Sequence, residues 1–461
     1  MSATQRHHRR LAGIAGLVLG AVAGVIAVLD AGGAAADRSS IVDSAPILEA
    51  THLPPLLTAR GERVDLRYDV YCAPADDDEG NCEPTGTVFL RAGQAGTFSA
   101  LPLRIDPSAA AGRYVATVPS DISITPSGFS YYAVFRGPSS AEEIRLPGGG
   151  AEAPERSLPL SRVVEVTLGS HVFGLTRAPD DVVARASWGD GAGEVGLEQG
   201  RTPTAIGATS FDIDSDGTVA VLDEAHKRLV RWRHGDDVSS PLPLEIDGTL
   251  ADLAVGDAGE VYVLDSATAG HPGRLHAFGP DGSSLGSVAS AERAAQVRIG
   301  PDGPVVLQQP SGQWMEAMDR GAFLSPAAQR RSARAGRPLP GGGEIVVLRL
   351  SDEIRVALVS GDRVTRSWRI TSATAPAEVQ LAERLGANLV LVARLYTTDR
   401  DEFVVLVLGA SGLVRSFSVP SADWAEAAPL SRFRLAGSSL YQLASTPQGI
   451  AVDRFDLEVK P

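Results

Sequence analysis

Short runs of alternating apolar and polar residues fill the region from 45 to 137. In the run "RVDLRYDVYC", Val64, Leu66, Tyr68 and Val70 alternate with charged residues, as expected for a strand with one buried face. Four similar runs, rich in β-branched and aromatic residues, follow: "GTVFLRAG", "FSALPLRI", "GRYVATVP" and "GFSYYAVFRG". Five such strands in about ninety residues predict a β-sandwich over residues 45–137.

Residues 138–160 break this alternation. They are rich in Gly, Pro and Glu and have no apolar periodicity. The segment therefore predicts a linker between two domains.

From 161 to 461, an apolar alternation around a glycine recurs along the chain. Gly217, Gly259 and Gly303 are separated by 42 and 44 residues, and weaker copies follow at "GGGEIVVLRL", "GANLVLVARL" and "LAGSSLYQLA". A period of about 40 to 45 residues with several strands is typical of a β-propeller. Six copies predict an all-β chain ending in a six-bladed propeller, whose last blade the earlier strands "RVVEVTL" and "DVVARASW" can complete.

The first copy, "FDIDSDGTVAVLD", has a second interpretation. Asp212, Asp214, Asp216 and Asp223 follow the spacing of a calcium loop. The second copy lacks the first two carboxylates, however, and what recurs is the alternation and the glycine. A glycine at positive φ in a hairpin explains that pattern, so neither a metal nor a cofactor is predicted. A weak surface calcium site on these aspartates stays open.

Two family resemblances extend these predictions. The stretch from "ASWGDG" to "LVRW" resembles the NHL-type six-bladed propellers. That resemblance implies a structural role for one Asp and one Arg in each repeat, with the carboxylate and guanidinium joining a strand connection: Asp223 with Arg228, and Asp265 with Arg274. His226 stands where this family often has Asn. The segments "THLPPLLTARGERVDL", "YVATVP" and "YYAVF" resemble the immunoglobulin-like or fibronectin-type-III-like modules of secreted bacterial proteins.

Residues 1–36 predict targeting outside the cytoplasm. A basic start precedes the uncharged run "LAGIAGLVLGAVAGVIAVL" and the small-residue site "AGGAAAD". The segment is either a cleaved signal peptide or a retained membrane anchor. In both cases Cys72 and Cys82, the only two cysteines, are expected to form a disulfide.

The net charge of −14 argues against nucleic acid or anionic lipid as a ligand. Membrane contact is expected only through the N-terminal segment. Within this acidic chain, Arg330, Arg331 and Arg334 mark a basic connection that is either a partner contact or a mobile, solvated insertion.

No catalytic residue is predicted, because no nucleophile or phosphate-binding motif is present. His171 and His276 lie on predicted strands, where a hydrogen-bonded structural histidine is expected more often than a base. The sequence thus favours an exported or anchored scaffold that binds a protein or a cell-surface polysaccharide. The alternative is an extracellular hydrolase or lyase of the lactonase-like propeller type.

Overall fold

The computed structural model describes residues 47–73, 83–109, 112–137, 143–198, 205–233, 241–266, 272–309, 312–425 and 431–458. The predicted signal or anchor at residues 1–36 lies outside these ranges. Within them, no helix is both long enough and apolar enough to cross a membrane. The described chain is all-β, with two α-helices of four and six residues and one 3-10 helix, Gly150–Glu152.

Residues 47–159 form an N-terminal unit of two sheets around one core. Its strands are β1 (Ile47–His52), β2 (Leu57–Thr58), β3 (Asp65–Ala73), β4 (Thr85–Ala92), β5 (Ser99–Pro102), β6 (Arg104–Ile105), β7 (Arg113–Thr117), β8 (Phe129–Arg136), β9 (Glu143–Leu146) and β10 (Glu155–Pro159), with helix α1 (Ser120–Ser123). One sheet has the order β1-β3-β7-β6, and the other β2-β10-β8-β4-β5 with β9 on β8. Leu66 and Tyr68 from the first sheet pack in one buried cluster with Tyr131 and Phe135 from the second.

The predicted linker at 138–160 is wrong for its described part. β9 and β10 both pair with β8, so residues 143–146 and 155–159 belong to the N-terminal unit. Apolar periodicity was absent because two polar residues occupy inward positions: Glu155 and Ser157 are 2% and 0% exposed. Burial raises the pKa of Glu155 well above its ordinary value. Residues 138–142 lie outside the described ranges.

The predicted disulfide stays a prediction. Cys72 lies half-buried in β3 opposite Leu48, and it is not a free thiol. Cys82 lies outside the described residues.

Within the described residues, positions 163–458 form six sheets of three to five strands. The strands are β11 (Val163–Leu168), β12 (Asp181–Ser187), β13 (Ser210–Ile213), β14 (Val219–Asp223), β15 (Arg228–Trp232), β16 (Leu242–Pro243), β17 (Leu250–Val255), β18 (Val261–Asp265), β19 (Arg274–Phe278), β20 (Ser284–Ala289), β21 (Arg293–Ile299), β22 (Pro304–Gln309), β23 (Trp314–Glu316), β24 (Met318–Asp319), β25 (Ala322–Phe323), β26 (Arg337–Pro338), β27 (Glu344–Arg349), β28 (Glu353–Ser360), β29 (Arg363–Ser372), β30 (Pro376–Leu385), β31 (Asn388–Tyr396), β32 (Asp401–Leu408), β33 (Leu413–Pro420), β34 (Phe433–Ala436), β35 (Ser439–Thr446) and β36 (Gly449–Asp456). Helix α2 (Pro326–Arg331) follows the small hairpin β24–β25.

The six sheets follow one another along the chain. The first is β13–β16, the second β17–β20, the third β21–β23, the fourth β26–β29 with β11, the fifth β30–β33, and the sixth β34–β36 with β12. Successive sheets lie side by side through β13 with β17, β17 with β21, β22 with β26, β27 with β30, and β30 with β34. Because β34 also lies against β13, the sixth sheet returns to the first.

The repeated glycines lie in the hairpins that the sequence predicted. β13 pairs antiparallel with β14, and Gly217 in the turn between them has φ of 87°. Gly259 and Gly303 occupy the corresponding turns with φ of 84° and 138°. The hairpin interpretation of the first copy is therefore confirmed over the calcium-loop interpretation. The three weaker copies contain β27, β31 and β35, each the second strand of its sheet.

The two strands before the first copy join different sheets. β12 pairs antiparallel with β36 and completes the sixth sheet, as the sequence predicted. β11 instead pairs parallel with β29 and covers the outer edge of the fourth sheet. β12 and β36 approach closely at Gly449, where an added Cβ would lie 1.9 Å from the Ala186 carbonyl oxygen.

The N-terminal unit packs directly on the fourth sheet. Leu57 and Leu158 share a buried apolar cluster with Val346 and Ala357. Beside this cluster, the Arg355 guanidinium forms a bidentate ion pair with Glu62, at 2.6 and 3.1 Å. It also donates to the Leu57 carbonyl oxygen and to Glu353. This contact joins the two units through apolar burial and a partly buried ion pair.

Asp223 joins three chain segments at the end of β14. Its carboxylate accepts hydrogen bonds from Arg228 Nε at 2.8 Å and from the Gly196 backbone N–H at 3.1 Å. His226 Nδ1 lies 2.8 Å from the same carboxylate, and its Nε2 lies 2.9 Å from Asp190. The contact between Asp223 and Arg228 that the resemblance implied is present, and its structural role stays a prediction.

The second copy differs from the first. Asp265 accepts from the Arg274 backbone N–H, while His276 Nε2 lies 3.1 Å from its other oxygen. The Arg274 guanidinium donates to Ser287 instead. In the second copy Asp265 therefore still binds the backbone of Arg274, but the Arg274 guanidinium does not bind the Asp265 carboxylate.

We expect Arg355→Ala to lower the free energy of unfolding by about 2 kcal/mol, because it leaves half-buried Glu62 without its guanidinium partner and buried Glu353 with Arg369 alone. Denaturant titration measures this loss. Arg63→Ala is the control, since Arg63 pairs with Asp65 while its side chain is 74% exposed, and it should leave stability nearly unchanged. Equal losses of unfolding free energy from the two substitutions would contradict a stabilising role for this junction.

His226 should make stability depend on pH. Its hydrogen bond to Asp223 raises its pKa above the ordinary value of 6.5, against the opposing effect of burial. A base whose pKa rises on folding stabilises the protein below its unfolded pKa, and this stabilisation is lost as the pH rises through the folded pKa. The melting temperature of the native chain should therefore exceed that of His226→Asn by more at pH 6 than at pH 9. A constant difference would contradict this assignment.

Candidate functional site

The innermost strands of four sheets bring charged side chains together at the centre of the ring. Asp252 on β17 is fully buried, and its carboxylate accepts from Arg298 Nη1 at 2.8 Å and from Ser210 Oγ at 2.6 Å. It also accepts from the Val297 backbone N–H. Arg434 Nη2 lies 3.4 Å from the same carboxylate and donates to the Leu253 carbonyl oxygen. We call Asp212, Asp252, Arg298 and Arg434 the central ion network.

Asp212 completes this network from β13. Its Oδ1 lies 3.1 Å from Arg434 Nε, and its Oδ2 accepts from the Val255 backbone N–H at 2.9 Å. Two carboxylates thus face two guanidinium groups, and the network carries no net charge. A neighbouring pair, Arg337 with Glu383 at 2.6 Å, is also neutral.

Burial and charge act differently on the members of the network. Burial alone would raise the pKa of Asp252, but Arg298 and Arg434 outweigh it and lower that pKa. For Asp212 burial wins over Arg434, so its pKa is raised. Burial, together with the nearby charge of Arg434, lowers the pKa of Arg298 to about 10. Each member lies in an ion pair with an oppositely charged member, whereas the buried Arg434 Nε and Nη1 have no hydrogen-bond partner among the described residues. The ion pairs favour convergence of the four inner strands.

A cleft of about 610 Å³ opens between the first and second sheets. Its lining consists of two hairpin turns and the strands beside them: Asp214, Ser215, Asp216, Thr218, Ala220, Arg231, Arg233, Val255, Asp257, Ala258, Gly259, Val261 and Pro280. Side chains of both charge signs thus face one open space. We call this space the turn cleft.

The turn itself orients two carboxylates. Asp214 Oδ1 accepts from the backbone N–H groups of Asp216 and Thr218, and Asp216 Oδ1 accepts from the Thr218 hydroxyl. Burial and the adjacent Asp216 raise the pKa of Asp214. Hydrogen bonds from Asp214 and Thr218 lower the pKa of Asp216 to about 2. The turn therefore keeps a negative charge at the cleft in neutral solution.

Two predicted histidines lie outside both of these places. His276 is bonded to Asp265, and His171 Nε2 lies 3.0 Å from Glu402 Oε2. His171 lines a smaller cleft of about 210 Å³ together with Ser372, Ser416 and Ser418. Within the described residues, no group of three or more His, Cys, Asp or Glu side chains is placed to hold a metal ion.

The predicted basic connection is folded around α2. Arg330 pairs with Glu292 at 3.0 Å and donates to the Ala291 carbonyl oxygen. Arg334 pairs with Glu316 and lies 3.7 Å from Glu344. Arg331 is exposed. Two of the three arginines are thus engaged within the chain, and a partner contact stays a prediction that Arg331 fits best.

Sequence reasoning missed the central ion network, although two signals were present. Asp252 and Gln296 stand at the repeat position of Ser210, and Arg298 stands at that of Asp212. Polar side chains therefore recur at inner positions, but their chemistry changes from copy to copy. Arg434 lies in a weak copy and gave no signal.

No protein-family model matches this chain, and no curated protein matches its sequence. Solved structures similar to it are β-propeller proteins. Virginiamycin B lyase from Staphylococcus aureus is 9% identical, covering 54% of this chain and 94% of that chain, with a TM-score of 0.34. YCF48 from Cyanidioschyzon merolae is 9% identical, covering 56% and 98%, with a TM-score of 0.32. The Cps50 (Swd1) β-propeller domain of Myceliophteria thermophila is 11% identical, covering 56% and 98%, with a TM-score of 0.32.

Proposed function

We propose that this chain is a non-enzymatic binding scaffold outside the cytoplasm. A six-bladed propeller of the NHL type presents the binding surface, and an immunoglobulin-like sandwich is fixed to its side. The partner is a protein or a cell-surface polysaccharide. Any membrane contact is made by the N-terminal segment.

The six-bladed assignment rests on the order of the sheets. Six sheets follow each other, each lies beside the next, and β34 of the sixth lies against β13 of the first. β12 supplies a strand to the sixth sheet from the other end of this region. Closure by strands from both ends is a common way to remove exposed sheet edges.

The binding assignment rests mainly on one contrast. The charged groups at the centre are largely buried and form ion pairs with each other, whereas those of the turn cleft line an open space and form no ion pair among the described residues. A rigid ring with variable turns is suited to recognition, because the turns can differ without disturbing the frame. Export is supported by the sequence of residues 1–36 and by the two cysteines.

One observation favours the hydrolase alternative. His171 bonded to Glu402 resembles the base and orienting carboxylate of a catalytic triad, and serines line the same cleft. Within the described residues, however, His171 contacts Thr374 and Glu402, and no hydrogen bond joins it to a serine hydroxyl. Binding remains the proposed function.

The proposal predicts a specific partner on intact cells. A photo-reactive p-benzoylphenylalanine in place of Ser215, on the turn cleft, should capture a discrete cell-surface protein or glycan. The same group in place of Ser351, exposed at the β27–β28 connection, should not. A C-terminal epitope tag should be detected by antibody without lysis.

Two results would contradict this. If the antibody detected the tag only after lysis, the proposed location outside the cytoplasm would be contradicted. Turnover of lactones or glycosidic polymers by the purified chain, abolished by His171→Ala, would replace binding with hydrolysis or elimination.

A further inference from the structure

We infer that the turn cleft holds a segment of a partner polypeptide in which a basic and an acidic side chain are neighbours. This inference rests on the proposed binding function and names the partner's chemistry. It concerns the first and second sheets only.

The size and shape of the cleft suit a short peptide segment. Its volume of about 610 Å³ lies within the roughly 300–1,000 Å³ of ligand sites in general. Ala220, Val255 and Val261 give it apolar walls, while the charged groups come from the turns and from β15 with the residue that follows it. Apolar walls with a few polar groups are typical of sites that orient a ligand.

No ion pair joins the charged side chains of the cleft to one another among the described residues. Arg231 Nη1 donates to the Pro280 carbonyl oxygen at 2.8 Å, and its Nη2 is buried away from solvent. Arg233 is exposed, and its charge adds to the hydrogen bonds that lower the pKa of Asp216. Asp214 and Asp216 are hydrogen-bonded to each other and to Thr218. A ligand carrying both charge signs therefore meets a complementary charge in Asp216 and in Arg233.

The internal repeat shows what the same backbone looks like without the cleft chemistry. Arg231 pairs across the sheet with Ala220, and the corresponding pair in the second sheet is Ala277 with Tyr262. The second sheet thus has a large aromatic side chain where the first has Ala220. Asp214 corresponds to Gly256, and Arg233 to Gly279. The first sheet thus carries three charges where the second carries none.

Ligands with one sign of charge fit the cleft less well. An anionic polymer meets Asp214, Asp216 and Asp257, and the whole chain carries −14. A purely basic segment pairs with these carboxylates but faces Arg231 and Arg233. Neighbouring Lys and Glu side chains pair with both, because like-charge contacts are avoided.

The test uses the full-length chain purified in detergent and three fluorescein-labelled peptides of equal length. One alternates Lys and Glu between Ser residues, one carries only Lys, and one carries only Glu. Fluorescence anisotropy at low salt should give saturable binding of the mixed peptide, tighter than the Lys peptide, with the Glu peptide weakest. The double variant Asp214→Asn with Asp216→Asn should weaken mixed-peptide binding by roughly fivefold or more, as should Arg233→Ser.

Asp281→Asn is the matched control. Asp281 accepts from the Ser283 backbone N–H and hydroxyl in the same kind of turn, but it does not line the cleft. Asp281→Asn should leave peptide binding unchanged. Asn at positions 214, 216 and 281 keeps an oxygen that accepts the hydrogen bonds of the turn. Thermal melting should therefore show that every variant is folded.

Three outcomes would overturn the inference: no binding of the mixed peptide, equal binding by native chain and cleft variants, or tightest binding of a single-sign peptide. In each case a partner captured on cells would still support the proposed function. If the purified chain showed the expected peptide selectivity but captured no partner on cells, the peptide preference would stand and the proposed binding function at the cell surface would be contradicted.

Discussion

The buried carboxylate of Asp252 lies where side chains from three other sheets meet. From the second sheet it contacts Ser210 of the first, Arg298 of the third and Arg434 of the sixth. A fully buried charge is tolerated only when its partners are in place, so these contacts require the inner strands to converge. Ring closure, the spacing of the sheets and the positions of their turns all depend on this convergence.

This convergence separates two kinds of charged residue. Those at the centre are paired, neutral as a set and shielded from water, and they hold the ring together. Those in the turn cleft follow closely along the same chain: Asp212 lies in β13 and belongs to the central network, and Asp214, two residues later, lines the cleft. A rigid frame with unpaired charges at its turns loses little conformational freedom on binding, and this favours recognition. The junction at Arg355 extends the rigid frame into the N-terminal unit.

The sequence contained much of the fold, because glycines at positive φ and the apolar alternation around them recur at a fixed period. Gly217, Gly259 and Gly303 lie in equivalent hairpins for this reason. The linker prediction failed because β10 places Glu155 and Ser157 in the interior. Their polarity suggested solvent exposure, but both side chains are buried. β11 joined the fourth sheet because outer-edge pairing is decided by tertiary position rather than by strand pattern.

The site was harder to predict than the fold. Asp252 stands at a position filled by Ser210 and Gln296 in neighbouring copies, so no motif marks it. The cleft arises from turns of two different repeats, and only their packing brings Asp214 and Asp257 to one space. Spacing along the chain carries no information on such contacts.

The role of Asp252 in ring closure can be measured as the free energy of unfolding of Asp252→Asn, with Asp319→Asn as an exposed control. Loss of the buried charge leaves Arg298 without the carboxylate it pairs with and leaves Arg434 with Asp212 alone. We expect destabilisation of about 3 kcal/mol, with faster hydrogen exchange in β13, β17, β21 and β34, and little change for the control. Stability within about 0.5 kcal/mol of the native chain, with unchanged exchange in those strands, would contradict the account.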